Sequence, residues 1–265
     1  MSYAVVVRDL VKEFPQRGGG TLRAVDRISF EVRRGEIFGF LGPNGAGKTT
    51  TLEIIEGLQR RSGGEVRVLD LDPERHTQEL KSRIGIQLQA SSYFEYLTLT
   101  EILDLFGSFY PKRRSPGELL ERVRLSDKAN AFVKHLSGGQ AQRFSLVAAL
   151  VNDPEIVFLD EATTGLDPRA RRDIWEVIAE IRDTGKTVVL TTHYMDEAQT
   201  LCDRVAIIDQ GRIVAIDEVA ALRRLVPPPP KPPEEQLATL EDVFLALTGK
   251  TLGESEPDHA EEGAA

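Results

Sequence analysis

The stretch that most constrains the fold of this 265-residue chain is Gly42-Pro43-Asn44-Gly45-Ala46-Gly47-Lys48-Thr49, which fits the pattern G-x-x-x-x-G-K-[ST]. Such a loop works only where a strand ends and a helix begins, and the flanks comply. Residues 36–41 form a short apolar run that reads as a strand, and residues 48–58 offer Leu52, Ile54, Ile55 and Leu58 to a core at helical spacing. Gly42, Gly45 and Gly47 let the backbone curl until successive N–H groups face phosphate oxygens, and the following helix adds the positive end of its dipole. Lys48 brings a point charge to the β- and γ-oxygens, and the Thr49 hydroxyl suits Mg²⁺. The plainer alternative is a glycine-rich turn with an incidental lysine, which leaves the strand–loop–helix context without a purpose.

A second signature follows about ninety residues later: Leu136-Ser137-Gly138-Gly139-Gln140, with Ile156-Val157-Phe158-Leu159-Asp160-Glu161 close behind it. The first motif binds a nucleoside triphosphate. The second has no obvious use within its own phosphate loop, which points to a site shared between two copies. With these two motifs in this order the chain resembles the nucleotide-binding subunits of ABC transporters, over about residues 5–249. Ile84-Gly85-Ile86-Gln87-Leu88-Gln89, Thr164-Gly165-Leu166-Asp167-Pro168 and Thr191-Thr192-His193 carry further resemblance. The stretches around His193-Tyr194-Met195-Asp196-Glu197-Ala198 and 240–249 are similar to the drug-exporter branch, in which ATPase and membrane-spanning subunit are separate chains.

Bulk properties agree. A hydrophobic content of 41% supports an ordinary buried core. The net charge of −9 argues against a nucleic-acid partner, and much of it is local, in Glu254, Glu256, Asp258, Glu261 and Glu262 beyond Lys250. Cys202 is the only cysteine, so an intrachain disulfide is ruled out, and it reads as a small buried hydrophobe. No signal peptide is expected at the N-terminus and no run of 18 apolar residues occurs, so a reducing, cytoplasmic setting is expected, with any membrane component on another polypeptide.

Along the chain, residues 3–11, 28–32 and 36–41 read as strands, with a mobile loop expected at Gly18-Gly19-Gly20. Residues 65–69 and 83–88 are further strands. Thr98 and Glu101 form a capping box for a helix ended by Pro111 and by Lys112-Arg113-Arg114, which reads as a solvated turn. Helices are expected from Pro116 and after Ser137. Strands and helices then alternate: strands at 156–160, 186–192, 204–209 and 213–216, and helices at 168–183 and 195–201. This pattern implies a parallel sheet covered on both faces. The resemblance implies an α/β fold: a P-loop NTPase core with a mixed, mainly parallel sheet, an antiparallel β subdomain and an inserted α-helical subdomain. The expected organisation is an ATPase domain over 1–226 with its helical subdomain at about 90–152, a proline-rich linker at 227–236, a C-terminal helix at 237–249 and an acidic, disordered tail at 250–265.

Asp160 ends an apolar strand, which carries its carboxylate to the carboxyl edge of the sheet, where it is expected to hold Mg²⁺ through water. Glu161 follows as the general base; the plainer reading of the pair is a strand end. The family has proline after this glutamate, whereas Ala162 stands here, freeing an N–H and loosening the turn. Ser137 is a good helix cap in its own right. In the sharper reading, Ser137, Gly138, Gly139 and Gln140 receive the γ-phosphate held by the other subunit. By resemblance, Thr50 touches the α-phosphate, and Gln89, rather than Gln87, senses Mg²⁺ and the attacking water. His193 is the switch histidine that contacts the γ-phosphate and orients Glu161, and Asp167 touches the opposite subunit. Phe14 stands where the family stacks adenine, most often on tyrosine. Pro43, Asn44 and Ala46 complete the phosphate loop. His76, His135 and His259 receive no such role. The loop Ser91-Ser92-Tyr93-Phe94-Glu95-Tyr96 reads either as local packing or as a cleft for a membrane partner.

The leading expectation is an ATP-hydrolysing subunit that closes head-to-tail in a dimer, as a homodimer or with a paired ATPase, and powers export through a separate transmembrane protein. The alternative is a soluble regulatory or assembly ATPase of the same fold, without transport. A catalytically dead scaffold is disfavoured, because Lys48, Asp160, Glu161 and His193 are all present.

Overall fold

A computed structural model describes residues 2–16, 18–87, 93–226 and 240–249. In chain order, β1 (Tyr3–Pro15) and β2 (Thr21–Arg33) form a long antiparallel hairpin, and β3 (Ile37–Leu41) runs into α1 (Lys48–Ile55). β4 (Gly63–Val68) returns to pair with β1, and α2 (Thr77–Arg83) leads into β5 (Ile84–Gln87). Three helices follow: α3 (Leu99–Ser108), α4 (Pro116–Arg122) and α5 (Gly138–Ala148). The chain then alternates through β6 (Ile156–Asp160), α6 (Pro168–Asp183), β7 (Thr187–Thr192), α7 (Met195–Leu201), β8 (Arg204–Asp209) and β9 (Arg212–Glu218). The short α8 (Val219–Leu222) and α9 (Leu240–Thr248) complete the described elements.

Two sheets result. A three-stranded antiparallel sheet has the order β2-β1-β4, and a six-stranded sheet has the order β5-β6-β7-β3-β8-β9. The larger is parallel except for β9, which turns back on β8 as an edge hairpin. Its central strands are buried on both faces, which is why they read as unbroken apolar runs rather than alternating ones. Along β3, Ile37 and Leu41 face the helices α3–α7, while Phe38 and Phe40 face the smaller sheet and α1. The Phe30, Phe38 and Phe40 rings pack edge-on and stacked within 5.8 Å of one another at the junction of the two sheets.

Several expectations are corrected. The first two strands are longer than the alternation implied, because they lock each other in register from Tyr3↔Arg33 to Pro15↔Thr21, and Gly18, Gly19 and Gly20 all take positive φ in the hairpin connection. The helix after the phosphate loop ends at Ile55, not Leu58; Glu56 caps it and Gly57 turns the chain at φ +73°. α2 and α8 were not foreseen: they are short, at seven and four residues, and each buries a single leucine, Leu80 and Leu222, so neither leaves a periodic signal. The capping box of Thr98 and Glu101 is present, and α6 and α7 have the expected limits. Cys202 is buried, as expected, with its thiol pKa pushed up by burial. Gln89, the loop residues Ser91 and Ser92, the linker 227–236 and the tail 250–265 lie outside the described residues.

The basic cluster 112–114 is not simply a solvated turn. Lys112, Arg114 and Lys186 converge on the carboxylate of Asp153, just past the end of the helical block, at 2.5, 2.9 and 2.7 Å respectively. Hydrogen bonds from Lys112 and then Lys186 hold that carboxyl well below the usual carboxylate range. Asp153→Asn is expected to cost about 1–2 kcal/mol, discounted for partial solvent screening. Because the folded pKa is depressed, the parent's advantage is complete above about pH 4 and is lost as the pH falls below it. Thermal unfolding of both proteins between pH 3 and 7 checks this; parallel curves across the range would reject the tether.

Leu240, Val243 and Phe244 are buried against the chain's own α7 and α8, while Leu247 points outward.

Candidate functional site

The site assembles because β6, β7 and β3 lie side by side in the sheet. The parallel register places Leu41 against Thr192 and Asp160 against Thr191, so the residues just past each strand emerge at one edge. These are the phosphate loop, Glu161 and His193. Two of the loop's glycines are sterically required. A Cβ on Gly42 would lie 2.1 Å from the Ile208 carbonyl oxygen, and Gly47 combines φ +99° with a Cβ position 2.4 Å from the Ala24 oxygen. Asn44 and Gly45 are exposed at the loop tip, Pro43 and Thr50 are half-buried, and Ala46 is buried, its carbonyl accepting from Gly211 N at 3.0 Å.

Lys48 is 4% exposed. Its Nζ donates to the carbonyl oxygens of Gly42 at 2.8 Å and Pro43 at 3.0 Å, and lies 3.6 Å from Glu161 Oε1. Burial lowers the pKa of this ammonium, and the charges of Glu161 and Asp160 oppose that shift. Asp160 is buried at the end of β6, where its Oδ1 accepts from Thr49 Oγ1 at 3.2 Å and from Thr191 Oγ1. Thr191 Oγ1 also accepts from Glu161 N at 3.0 Å, so a single hydroxyl sets the spacing of the two acids.

Glu161 leaves the strand at φ +49°, a left-handed conformation that costs about 1 kcal/mol or more for a residue with a side chain. That twist turns its carboxylate back over the loop. Oε1 lies between Lys48 Nζ and His193 Nδ1, the latter at 3.4 Å, and Oε2 accepts from Thr164 Oγ1 at 3.2 Å. Ala162 is buried in the core, and the turn after it is closed by hydrogen bonds from Thr164 N to the Glu161 oxygen and from Leu166 N to the Thr163 oxygen.

The structure therefore brings Gly42 to Thr50, Asp160, Glu161 and His193 into one cluster. Other expected residues stand elsewhere. Ser137 caps α5 and is exposed; its hydroxyl accepts from Gln140 N at 3.4 Å while Gln140 Oε1 accepts from Ser137 N at 2.9 Å. That reciprocal cap leaves the serine's own O–H proton unused. Gly139 approaches α6, where an added Cβ would sit 3.1 Å from Ala170 Cβ. Asp167 is exposed and caps α6, accepting from the backbone N–H groups of Arg169 and Ala170, which hold its pKa down. Phe14 is half-buried near the hairpin end of β1, with Lys12 Nζ 4.7 Å from its ring centroid. Thr191 and Thr164 were not singled out in advance. A β-branched strand ending Thr-Thr beside an acidic strand end was the available signal, and it requires the strand order to be interpreted.

Thr49 Oγ1 and Asp160 Oδ1 are hard oxygen donors 3.2 Å apart. Among the described residues no group of three or more His, Cys, Asp or Glu side chains could hold a metal on its own, so a cation at this pair must complete its shell with ligand oxygens and water.

Residues 25–164 match the family model described as ABC transporter. Over 202 residues the chain is 43% identical to the Nod factor export ATP-binding protein I of Ralstonia nicotianae, a match covering 74% of this chain and 63% of that protein. Over 218 residues it is 41% identical to a fluoroquinolones export ATP-binding protein of Mycobacterium tuberculosis, covering 82% of this chain and 71% of the relative. Among solved structures, an ATP binding subunit of an ABC transporter superposes with a TM-score of 0.77 at 27% identity, covering 92% of this chain and 99% of that one. A dimeric ATP-binding cassette in a post-hydrolysis state with ADP and phosphate superposes with a TM-score of 0.71 at 28% identity, covering 81% and 98%. Sheet order, edge chemistry and identity spread over most of the chain lead to one assignment: the chain belongs to the ABC transporter family, as an ATPase subunit.

Proposed function

We propose that two ATPase subunits, this chain with a second copy or with a paired subunit, close head-to-tail over two ATP molecules and drive an export step through a separate transmembrane protein. The observation that carries this reading is the placement of Glu161 Oε1 between Lys48 and His193, directly over the phosphate loop. The N–H groups of residues 42–49 and the start of α1 bind the phosphates, Lys48 exchanges its carbonyl partners for β- and γ-oxygens, and Thr50 meets the α-phosphate. Phe14 stacks on the adenine. Thr49 and Asp160, with Gln89, would hold Mg²⁺, which when bound neutralises charge on the phosphate oxygens.

Glu161 takes the proton from the attacking water as its oxygen bonds to the γ-phosphorus and the β–γ bridge breaks, the bridging electrons leaving with ADP. His193 steadies Glu161 and contacts the γ-phosphate. Ser137, Gly138, Gly139 and Gln140 meet the γ-phosphate held by the other subunit, a role favoured by the exposure of Ser137 and Gly138 and by the unused serine proton. Asp167, also exposed, stands at the same face between subunits.

The membrane partner's place is supported by a cleft of about 470 Å³ between β5, α3 and α5, lined by Ile86, Tyr93, Phe106, Phe109 and Tyr110. The aromatic loop divides between its two readings. Tyr93 packs on Phe144 with ring centroids 5.2 Å apart, whereas Phe94 and Tyr96 are 58% and 83% exposed. Among the described residues no helix is long and apolar enough to cross a membrane, so attachment at the inner face of the cell membrane would come through that partner. The test is ATP hydrolysis by the purified chain as a function of its concentration. Turnover per chain is expected to rise with concentration, and a constant rate would reject the shared site.

A further inference from the structure

The imidazole of His193 lies 3.4 Å from Glu161 Oε1, but its Nδ1 has no hydrogen-bond partner, so no hydrogen bond through that atom fixes its orientation. What touches its face is Tyr194, with ring centroids 4.1 Å apart and planes 40° apart. Tyr194 precedes α7, and its other contact is the Arg171 guanidinium of α6, whose central carbon sits 4.1 Å from the ring centroid. Arg171 is anchored to Asp196 at 3.3 Å, while its Nε is buried without a partner, so the planar group is held by stacking as much as by charge. One turn further along each helix a second layer repeats the connection: Trp175 Nε1 and Thr163 Oγ1 donate to the buried Glu197 carboxylate at 3.0 and 2.8 Å. Arg171 and Trp175 share a face of α6 at i, i+4 spacing, and Glu197 lies in the first turn of α7, three residues after Tyr194.

We propose that Tyr194 and Arg171 are positioning residues for ATP hydrolysis: they form a stacked column that sets the His193 imidazole against Glu161 and ties its angle to the start of α6. This rests on the reading of His193 as the residue that contacts the γ-phosphate and orients Glu161. The column touches no reacting atom. It begins one turn past the exposed Asp167 cap, beside the point where Gly139 meets Ala170, so a shift of the α6 N-terminus moves Arg171, then Tyr194, then the imidazole.

The experiment is steady-state ATPase kinetics on the full chain for Tyr194→Leu, Tyr194→Phe, Arg171→Lys and His193→Ala, each with its unfolding midpoint. Tyr194→Leu, which removes the flat face, is expected to lower kcat about tenfold with KM for ATP within about twofold of the parent. Tyr194→Phe keeps the ring and is expected to restore kcat. Arg171→Lys keeps the charge for Asp196 but loses the planar group, so it is expected to fall toward Tyr194→Leu. If Tyr194→Leu does not fold, the lysine variant decides by the same kcat and KM criteria. The column is overturned if kcat is unchanged, if KM rises in step with the loss, or if Tyr194→Phe is as impaired as Tyr194→Leu. His193→Ala separates the two levels. Loss of turnover in it together with normal Tyr194→Leu rejects the column alone, whereas parental turnover in it rejects the histidine's role and the column with it.

Discussion

Glu161→Gln is expected to reduce ATP turnover by about 10²- to 10⁴-fold while strengthening ATP retention. Glutamine keeps the shape and can still receive Thr164 Oγ1, but it cannot take a proton from water. The same change removes a negative charge from above the phosphate loop, where it would repel the γ-phosphate, and leaves Lys48 without its 3.6 Å counter-ion in the protein. Lys48 is then better satisfied by phosphate. The ATP-loaded form therefore accumulates, and gel filtration with ATP and Mg²⁺ should show a dimer that the parent populates only transiently. Turnover within a few-fold of the parent would remove Glu161 from the role of base.

Glu56→Gln is expected to stabilise the protein at neutral and alkaline pH. Glu56 caps the C-terminus of α1, is 1% exposed, and neither carboxyl oxygen has a hydrogen-bond partner. Burial, with the charges of Asp160 and Glu53 adding to it, pushes its pKa up to about 8. In the unfolded chain it titrates near the ordinary glutamate value of about 4.3. Between these values the folded protein binds the extra proton, so this residue's contribution to stability falls as pH rises from about 4.5 to 8 and is constant outside that window. At pH 7 the cost is on the order of 3 kcal/mol. The glutamine variant should match the parent near pH 4.5 and unfold roughly 10 °C higher at pH 8, given about 2–4 °C per kcal/mol for a chain of this size. Identical pH slopes for the two proteins would show that Glu56 is not held neutral.

Neither Glu56 nor the Arg171–Tyr194 column was legible in the sequence, whereas the phosphate loop, Asp160 and Glu161 were. The difference is physical. Gly42, Gly47 and Lys48 belong to one contiguous loop motif, so spacing along the chain names them even though the Ile208 and Ala24 carbonyl oxygens that make the glycines obligatory come from elsewhere in the fold. The two acids follow an apolar strand, and a strand's end is readable from its composition. Glu56 reads as an ordinary helical glutamate until the packing of α1 beneath the sheet removes it from water. Tyr194 and Arg171 are 23 positions apart and meet only because α6 and α7 pack together. Lys112 and Arg114 failed for the same reason: a basic turn looks solvated until Asp153, about forty residues away, is placed beneath it.

That acidic anchor has a mechanical side. Asp153 lies just beyond α5 and pins the chain before α4 to the start of β7 through Arg114 and Lys186. Ser137 stands at the opposite end of the same helix, about 16 Å away for 11 residues at 1.5 Å each. With the near end fixed, the helix is a lever whose fulcrum is one carboxylate. A tilt of about 10° carries the serine roughly 3 Å, about the length of one hydrogen bond, and so makes or breaks a contact at its tip while the three cations at its base barely move.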